Sequence, residues 1–104
     1  MHKIRSMQIF GKREIEKFIA KHAITKQALE NWMKIVESSE WKSHTEVKQT
    51  FPSADYVENA KYVFNIKGNG CRIVAVVVFV GRTLSIRFIG THEEYNKIDC
   101  KKIY

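Results

Sequence analysis

Arg72, Arg87, His92 and Tyr95 are suited in type and spacing to chemistry on a phosphate ester. A guanidinium matches a pair of phosphate oxygens in both geometry and charge. Imidazole changes protonation closer to neutral pH than other side chains, and a phenol can donate a hydrogen bond, pass a proton or stack on a base. His92 and Tyr95 are three residues apart, so a helical turn puts them on one side. Lys61 and Lys67 add point charges, and Asn65 and Asn69 add amides, within the same stretch from Lys61 to Asn96. Any one of these groups is a common sight on a solvated surface. The argument therefore depends on whether the fold collects them on one face.

The stretch itself reads as strands at about 60–66, 71–80 and 83–89, followed by a short helix. Gly68, Asn69 and Gly70 supply the first turn, and Gly81-Arg82 has the Gly-X form of a two-residue type II′ hairpin loop. With those loops Ile66 faces Cys71, Val76 faces both Lys61 and Arg87, and Val80 faces Thr83. The period of two then sorts the residues onto two faces. Tyr62, Phe64, Ile66, Cys71, Ile73, Ala75, Val77, Phe79, Leu84, Ile86 and Phe88 form a core face. Lys61, Val63, Asn65, Arg72, Val74, Val76, Val78, Thr83, Ser85 and Arg87 lie on the other, which is expected to be uncovered. Arg72 and Arg87 would be offset by four residues, roughly 13 Å, about two phosphates of an extended strand. Thr91-His92-Glu93-Glu94 is a capping box opening a last helical turn through about Ile98.

Upstream elements must cover the core face. Met7 to Phe10 reads as a short strand and Lys12 to Lys21 as a helix, with Ile15, Phe18 and Ile19 on one side. His22 to Ile24 break it. Thr25 then caps a second helix whose Ala28, Leu29, Trp32, Ile35 and Val36 make one stripe. The two helices form an antiparallel hairpin. Trp32 and Trp41 are better explained as core residues than as base-stacking platforms. Ser43-His44-Thr45-Glu46 is a second capping box, which starts a third helix at His44 that ends at Phe51-Pro52. Residues 53–59 read as a polar loop. The fold class is α+β: a helical hairpin on one face of a small, mainly antiparallel sheet with a short C-terminal helical turn.

A chain of 104 residues with 44% hydrophobic and 12% aromatic residues fills one domain and buries a core without staples. Residues 1–6 form a short N-terminal extension. The net charge of +7, spread over both halves, points to a polyanionic partner or to a merely basic protein. Cys71 and Cys100 have no CxxC spacing and read as free thiols of a cytoplasmic protein. The apolar run Ile73–Val80 is too short to span a bilayer. The four histidines lack metal-ligand spacing and no Gly-rich phosphate loop occurs, so no metal or cofactor is expected.

VFNIKGN, then Arg72-Ile-Val, then IRFIGTHEEYNKID resembles the HigB-type toxins of bacterial toxin–antitoxin systems, within the RelE-like superfamily. The resemblance continues upstream through ALENWMKIVESSEWKSHTEVKQTFPSAD and covers nearly everything from Met7 onward. Two departures stand out. Ala23 replaces a proline that the family often has after the histidine ending the first helix. Asn96 replaces the aspartate of the frequent THxEYD pattern, which removes a carboxylate beside His92 and Tyr95. The resemblance implies a RelE-like fold and an endoribonuclease that cuts mRNA on the translating ribosome. It also implies a HigA-type helix-turn-helix antitoxin as partner, with operator DNA reached only through that antitoxin. Arg72, Arg87, His92 and Tyr95 would then be catalytic, and Lys61, Lys67, Asn65 and Asn69 would contact RNA. Two rival readings stay open: a non-catalytic basic RNA-binding module of the same fold, and a structural protein whose cationic face docks an acidic antitoxin segment.

Overall fold

The computed structural model describes residues 6–66, 70–99 and 102–103. Lys67, Asn69 and Cys100 lie outside these residues, as do residues 1–5 of the N-terminal extension. The elements run β1 (Gln8–Phe10), α1 (Lys12–Lys21), α2 (Lys26–Ser38), α3 (His44–Thr50), β2 (Asp55–Tyr56), β3 (Lys61–Ile66), β4 (Cys71–Val78), β5 (Thr83–Thr91) and α4 (His92–Asn96), with a 3-10 turn at Ala23–Thr25 between the first two helices. The strands form one sheet in the order β1-β5-β4-β3-β2, parallel only between β1 and β5. This is the α+β architecture expected. No helix among the described residues is long and apolar enough to cross a membrane.

Ile15 and Phe18 from α1, and Leu29, Trp32 and Val36 from α2, bury their side chains with Tyr62, Phe64, Ile66, Ile73, Ala75, Val77, Leu84 and Ile86 of the sheet. Burying one such side chain contributes about 1.5–3 kcal/mol. Trp41 joins the same core and satisfies its indole nitrogen on Thr50 Oγ1 at 2.9 Å. Gly11 makes the corner between β1 and α1. Its φ is 101°, and a Cβ there would stand 2.9 Å from Ile86 Cβ, so a side chain is excluded twice over.

Two of the expected caps differ in detail. Thr25 precedes α2, but its hydroxyl donates backwards to the His22 carbonyl at 2.7 Å and its side chain caps nothing. Ser43 likewise makes no cap bond, and the Glu46 carboxylate accepts from the Lys42 N–H at 2.5 Å instead. The polar loop at 53–59 contains a strand. β2 pairs Asp55 with Val63 and Tyr56 with Tyr62, and a tight turn follows it. That turn closes with Lys61 N–H donating to the Glu58 carbonyl at 3.0 Å, and its two central residues, Asn59 and Ala60, have φ of 53° and 65°. These are the dihedral signs of a type I′ turn, in which glycine usually takes the second position. Alanine in the left-handed region costs about 1–2 kcal/mol, part of which glycine returns through its freer unfolded chain. Ala60→Gly is therefore expected to raise stability by about 0.5–1 kcal/mol, or roughly 2–6 °C in melting temperature. A lower melting temperature would mean that the methyl packs better than the turn is strained.

The β4–β5 connection is a four-residue loop, not the two-residue II′ loop expected. Val78 pairs with Thr83, and the Arg82 N–H donates to the Phe79 carbonyl at 3.1 Å. The positive φ falls on Arg82, at 53°, and not on Gly81. β5 also carries a bulge: Ala75 pairs with Ile86 and Val74 with Phe88, which leaves Arg87 as the extra residue. The longer loop and the bulge overturn one expectation each. Val76 faces Ser85 and not Arg87, and Phe88 leaves the core face for the face of Val74, while Ile89 takes its place opposite Ile73.

Candidate functional site

β3 and β4 are in the expected register, with Lys61 opposite Val76, Asn65 opposite Arg72 and Ile66 opposite Cys71. This second face of the sheet is not uncovered, which corrects the sequence reading. Val63 and Val74 are buried, and Lys61 is only 3% exposed. Lys61 Nζ donates to the Ile103 carbonyl at 2.8 Å, so the chain beyond α4 returns over this part of the face. α4 itself packs on β4 and β5.

The Thr91 capping box forms as expected. Thr91 Oγ1 accepts from the Glu94 N–H at 3.1 Å, and Glu94 Oε1 accepts from the Thr91 N–H at 2.9 Å. The His92 N–H donates to the Gly70 carbonyl at 3.0 Å, tying the start of α4 to the end of the β3–β4 connection. The main chain of His92 is thus fixed while its side chain is exposed. Gly90, directly opposite Arg72, lets the helix come this close. A Cβ at Gly90 would stand 2.6 Å from Phe88 Cζ, 2.8 Å from Glu94 Oε1 and 3.0 Å from Glu94 Cβ. The sequence places Phe88 on the core face and Glu94 in the capping box, and marks none of Phe88, Gly90 and Glu94 as a site residue. The signal was the glycine inside an otherwise apolar strand, which marks a close approach.

The arrangement brings three of the expected residues into contact. The Arg72 guanidinium carbon lies 4.8 Å from the centre of the Tyr95 ring, within the range of a cation–π contact. Arg72 Nε donates to Asn65 Oδ1 at 2.7 Å. His92 stands one helical turn before Tyr95 on the same side of α4. Arg87 is exposed and stands apart from this group. It lines a shallow hollow with Asn59, Lys61, Val76 and Ile103. Arg87 lies three residues from Gly90 along β5, so the two arginines are offset by roughly 10 Å along the strands and not 13 Å. The four-residue β4–β5 loop slides the register by two residues, and the bulge gives one of them back.

Two other groups bear on chemistry. Burial pushes the Cys71 thiol up to about 11, against a smaller lowering from its own backbone, so this cysteine is a core residue and not a nucleophile. On the helix-covered side, His44 Nδ1 and Tyr62 Oη are 2.9 Å apart, and Tyr56 packs edge-on against both rings. Burial and then the neighbouring Tyr56 raise the Tyr62 phenol above its usual range. This cluster is on the opposite face of the sheet from Arg72.

Residues 25–98 match the family described as HigB_toxin, RelE-like toxic component of a toxin-antitoxin system. An mRNA interferase HigB of Escherichia coli (strain CFT073) is 27% identical over 94 residues, which cover 88% of this chain and 91% of that protein. The mRNA interferase toxin HigB of Escherichia coli (strain K12) is 40% identical over 58 residues, covering 54% of this chain and 56% of that one. The same figures hold for an mRNA interferase HigB of Shigella flexneri.

Proposed function

The chain belongs to the HigB family of RelE-like toxins, and from that premise we propose that it is an endoribonuclease that cuts mRNA on the translating ribosome without a metal ion. The observation that carries the reading is the Arg72 guanidinium, hydrogen-bonded at Nε to Asn65 and set over the ring of Tyr95, one helical turn from His92. The relatives named mRNA interferases support it.

Cleavage of this kind needs no outside reagent. The 2′-oxygen attacks phosphorus as its proton passes to a base, the bond from phosphorus to the 5′ oxygen breaks, and an acid protonates that leaving oxygen. The products are a 2′,3′-cyclic phosphate and a 5′-hydroxyl. Charge gathers on the phosphorane oxygens, where a pre-placed guanidinium has most effect. Arg72 takes this role, and Arg87 holds a neighbouring phosphate. His92 and Tyr95 divide the proton transfers. Lys67 and Asn69 lie in sequence between Ile66 and Gly70 and are assigned contacts with the same strand. Lys61 has a different part. Its ammonium is buried under the Ile103 carbonyl, so it supports the surface beside Arg87 from within. The partner is an antitoxin of the HigA helix-turn-helix type, through which alone operator DNA is reached, and the site of action is the cytoplasm.

Expressing the chain without an antitoxin is expected to arrest growth and to create new RNA 5′ ends inside translated reading frames. Mapping 5′ ends after induction, with and without a block on translation initiation, tests both halves. Arrest with intact transcripts would leave a binding module of the same fold. Ends that persist without translation would remove the ribosome from the mechanism.

A further inference from the structure

We propose that Asn65 is a positioning residue for Arg72 and does not itself bind RNA. The inference rests on the reading of Arg72 as the phosphate-binding group. Asn65 and Arg72 are direct cross-strand partners on β3 and β4. Both ends of the Asn65 amide are engaged inside the protein. Its Oδ1 accepts from Arg72 Nε at 2.7 Å, and its Nδ2 donates to the Ser53 carbonyl at 3.3 Å. These partners fix the orientation of the amide on chemical grounds. An arginine Nε–H can only donate and a carbonyl can only accept, so the oxygen must face Arg72.

A hydrogen bond at Nε and a ring beneath the guanidinium carbon restrain the Arg72 head at two separate points. Asn65 supplies the first restraint and Tyr95 the second, at 4.8 Å. The terminal nitrogens of Arg72 make no hydrogen bond or ion pair with the described residues, and they are the fork that meets phosphate bidentately. Asparagine is the side chain that can do this here. It offers an acceptor to the arginine and a donor to Ser53 at once, whereas aspartate would set a carboxylate oxygen against the Ser53 carbonyl and a negative charge beside the incoming phosphate. The anchor at Ser53, just past the Phe51-Pro52 end of α3, links Arg72 to the helical layer. A free arginine on a sheet surface would have to be ordered by the substrate at the cost of binding energy.

The test uses the purified full chain with Asn65→Ala, Asn65→Asp and Arg72→Ala. The Nε–H resonance of Arg72 should exchange slowly with water in the wild type. It should lose that protection in Asn65→Ala and keep most of it in Asn65→Asp, which retains the acceptor. Single-turnover cleavage on programmed ribosomes should fall about 10- to 100-fold in Asn65→Ala, with the half-saturating concentration within about threefold of wild type. The double variant Asn65→Ala/Arg72→Ala should be no slower than Arg72→Ala alone, because Asn65 acts through the arginine. Additive losses, or a loss confined to binding, would overturn the proposal and make Asn65 an RNA contact. Unaltered Nε–H exchange in Asn65→Ala would overturn it independently of any activity. Full activity of Arg72→Ala with a protected wild-type Nε–H would overturn the role given to Arg72 and leave the clamp standing.

Discussion

Arg72→Ala is expected to slow single-turnover RNA cleavage by about 30- to 1000-fold, the equivalent of 2–4 kcal/mol of lost transition-state stabilisation. The fold should survive. Arg72 is partly exposed, and among the described residues its polar contacts are one hydrogen bond to Asn65 and the ring of Tyr95. Their loss should cost no more than about 1–2 kcal/mol of stability. Asn65 Oδ1, left without its donor at a partly exposed position, can take water. Arg72→Lys separates charge from shape: it keeps the cation but loses the Nε bond and the bidentate fork. It should therefore stay well below wild type, with binding reduced less than turnover. Cleavage rates and thermal melts on the two variants decide the matter. Near-normal rates in Arg72→Ala would remove Arg72 from the chemistry. A melting temperature lowered by tens of degrees would mean that it supports the core and not the site.

Much of this site was legible in the sequence because its determinants are local. Asn65 opposite Arg72 follows from the strand period and the glycines of the first turn, and the tightness of that turn does not alter the faces. The Thr91-Glu94 box needs only four consecutive residues. Ser43-Glu46 has the same pattern, yet the Glu46 carboxylate takes the Lys42 N–H instead of the Ser43 N–H, a choice that the pattern does not determine. The bulge at Arg87 was hidden for a related reason. In Leu84-Ser85-Ile86-Arg87-Phe88-Ile89 the apolar residues include both Phe88 and Ile89, so an unbroken alternation and one shifted by a residue fit the sequence equally well. Cross-strand packing decides it, by placing Ile89 opposite Ile73 and letting Phe88 fold over Gly90. β2 is two residues long, below any period that could reveal it. The burial of Lys61 depends on a carbonyl 42 residues further along the chain, a distance over which a single sequence carries no readable signal.

The Arg72 clamp also constrains where proton transfer takes place. Tyr95 lies against the Arg72 guanidinium, so a phosphate on Arg72 lies beside the side of α4 that carries both Tyr95 and His92. His92 begins that helix with its N–H on the Gly70 carbonyl and with the Thr91–Glu94 box holding the turn around it. None of these bonds uses its imidazole. His92→Ala and His92→Gln should therefore leave the backbone of α4 in place, which makes the pair a clean test of chemistry. If His92 is the general acid or base, both variants should lose cleavage on the order of 10²- to 10⁴-fold, while substrate binding changes only a few-fold. Glutamine can hydrogen-bond where histidine did but cannot carry the proton, so it should rescue little. The pH–rate profile separates the roles further. In wild-type protein one limb should belong to His92, and that limb should disappear from the residual activity of His92→Gln. A Gln variant with near-normal rates, or an unchanged profile at reduced rate, would assign the proton to Tyr95, whose ring lies under the Arg72 cation, or to Lys67.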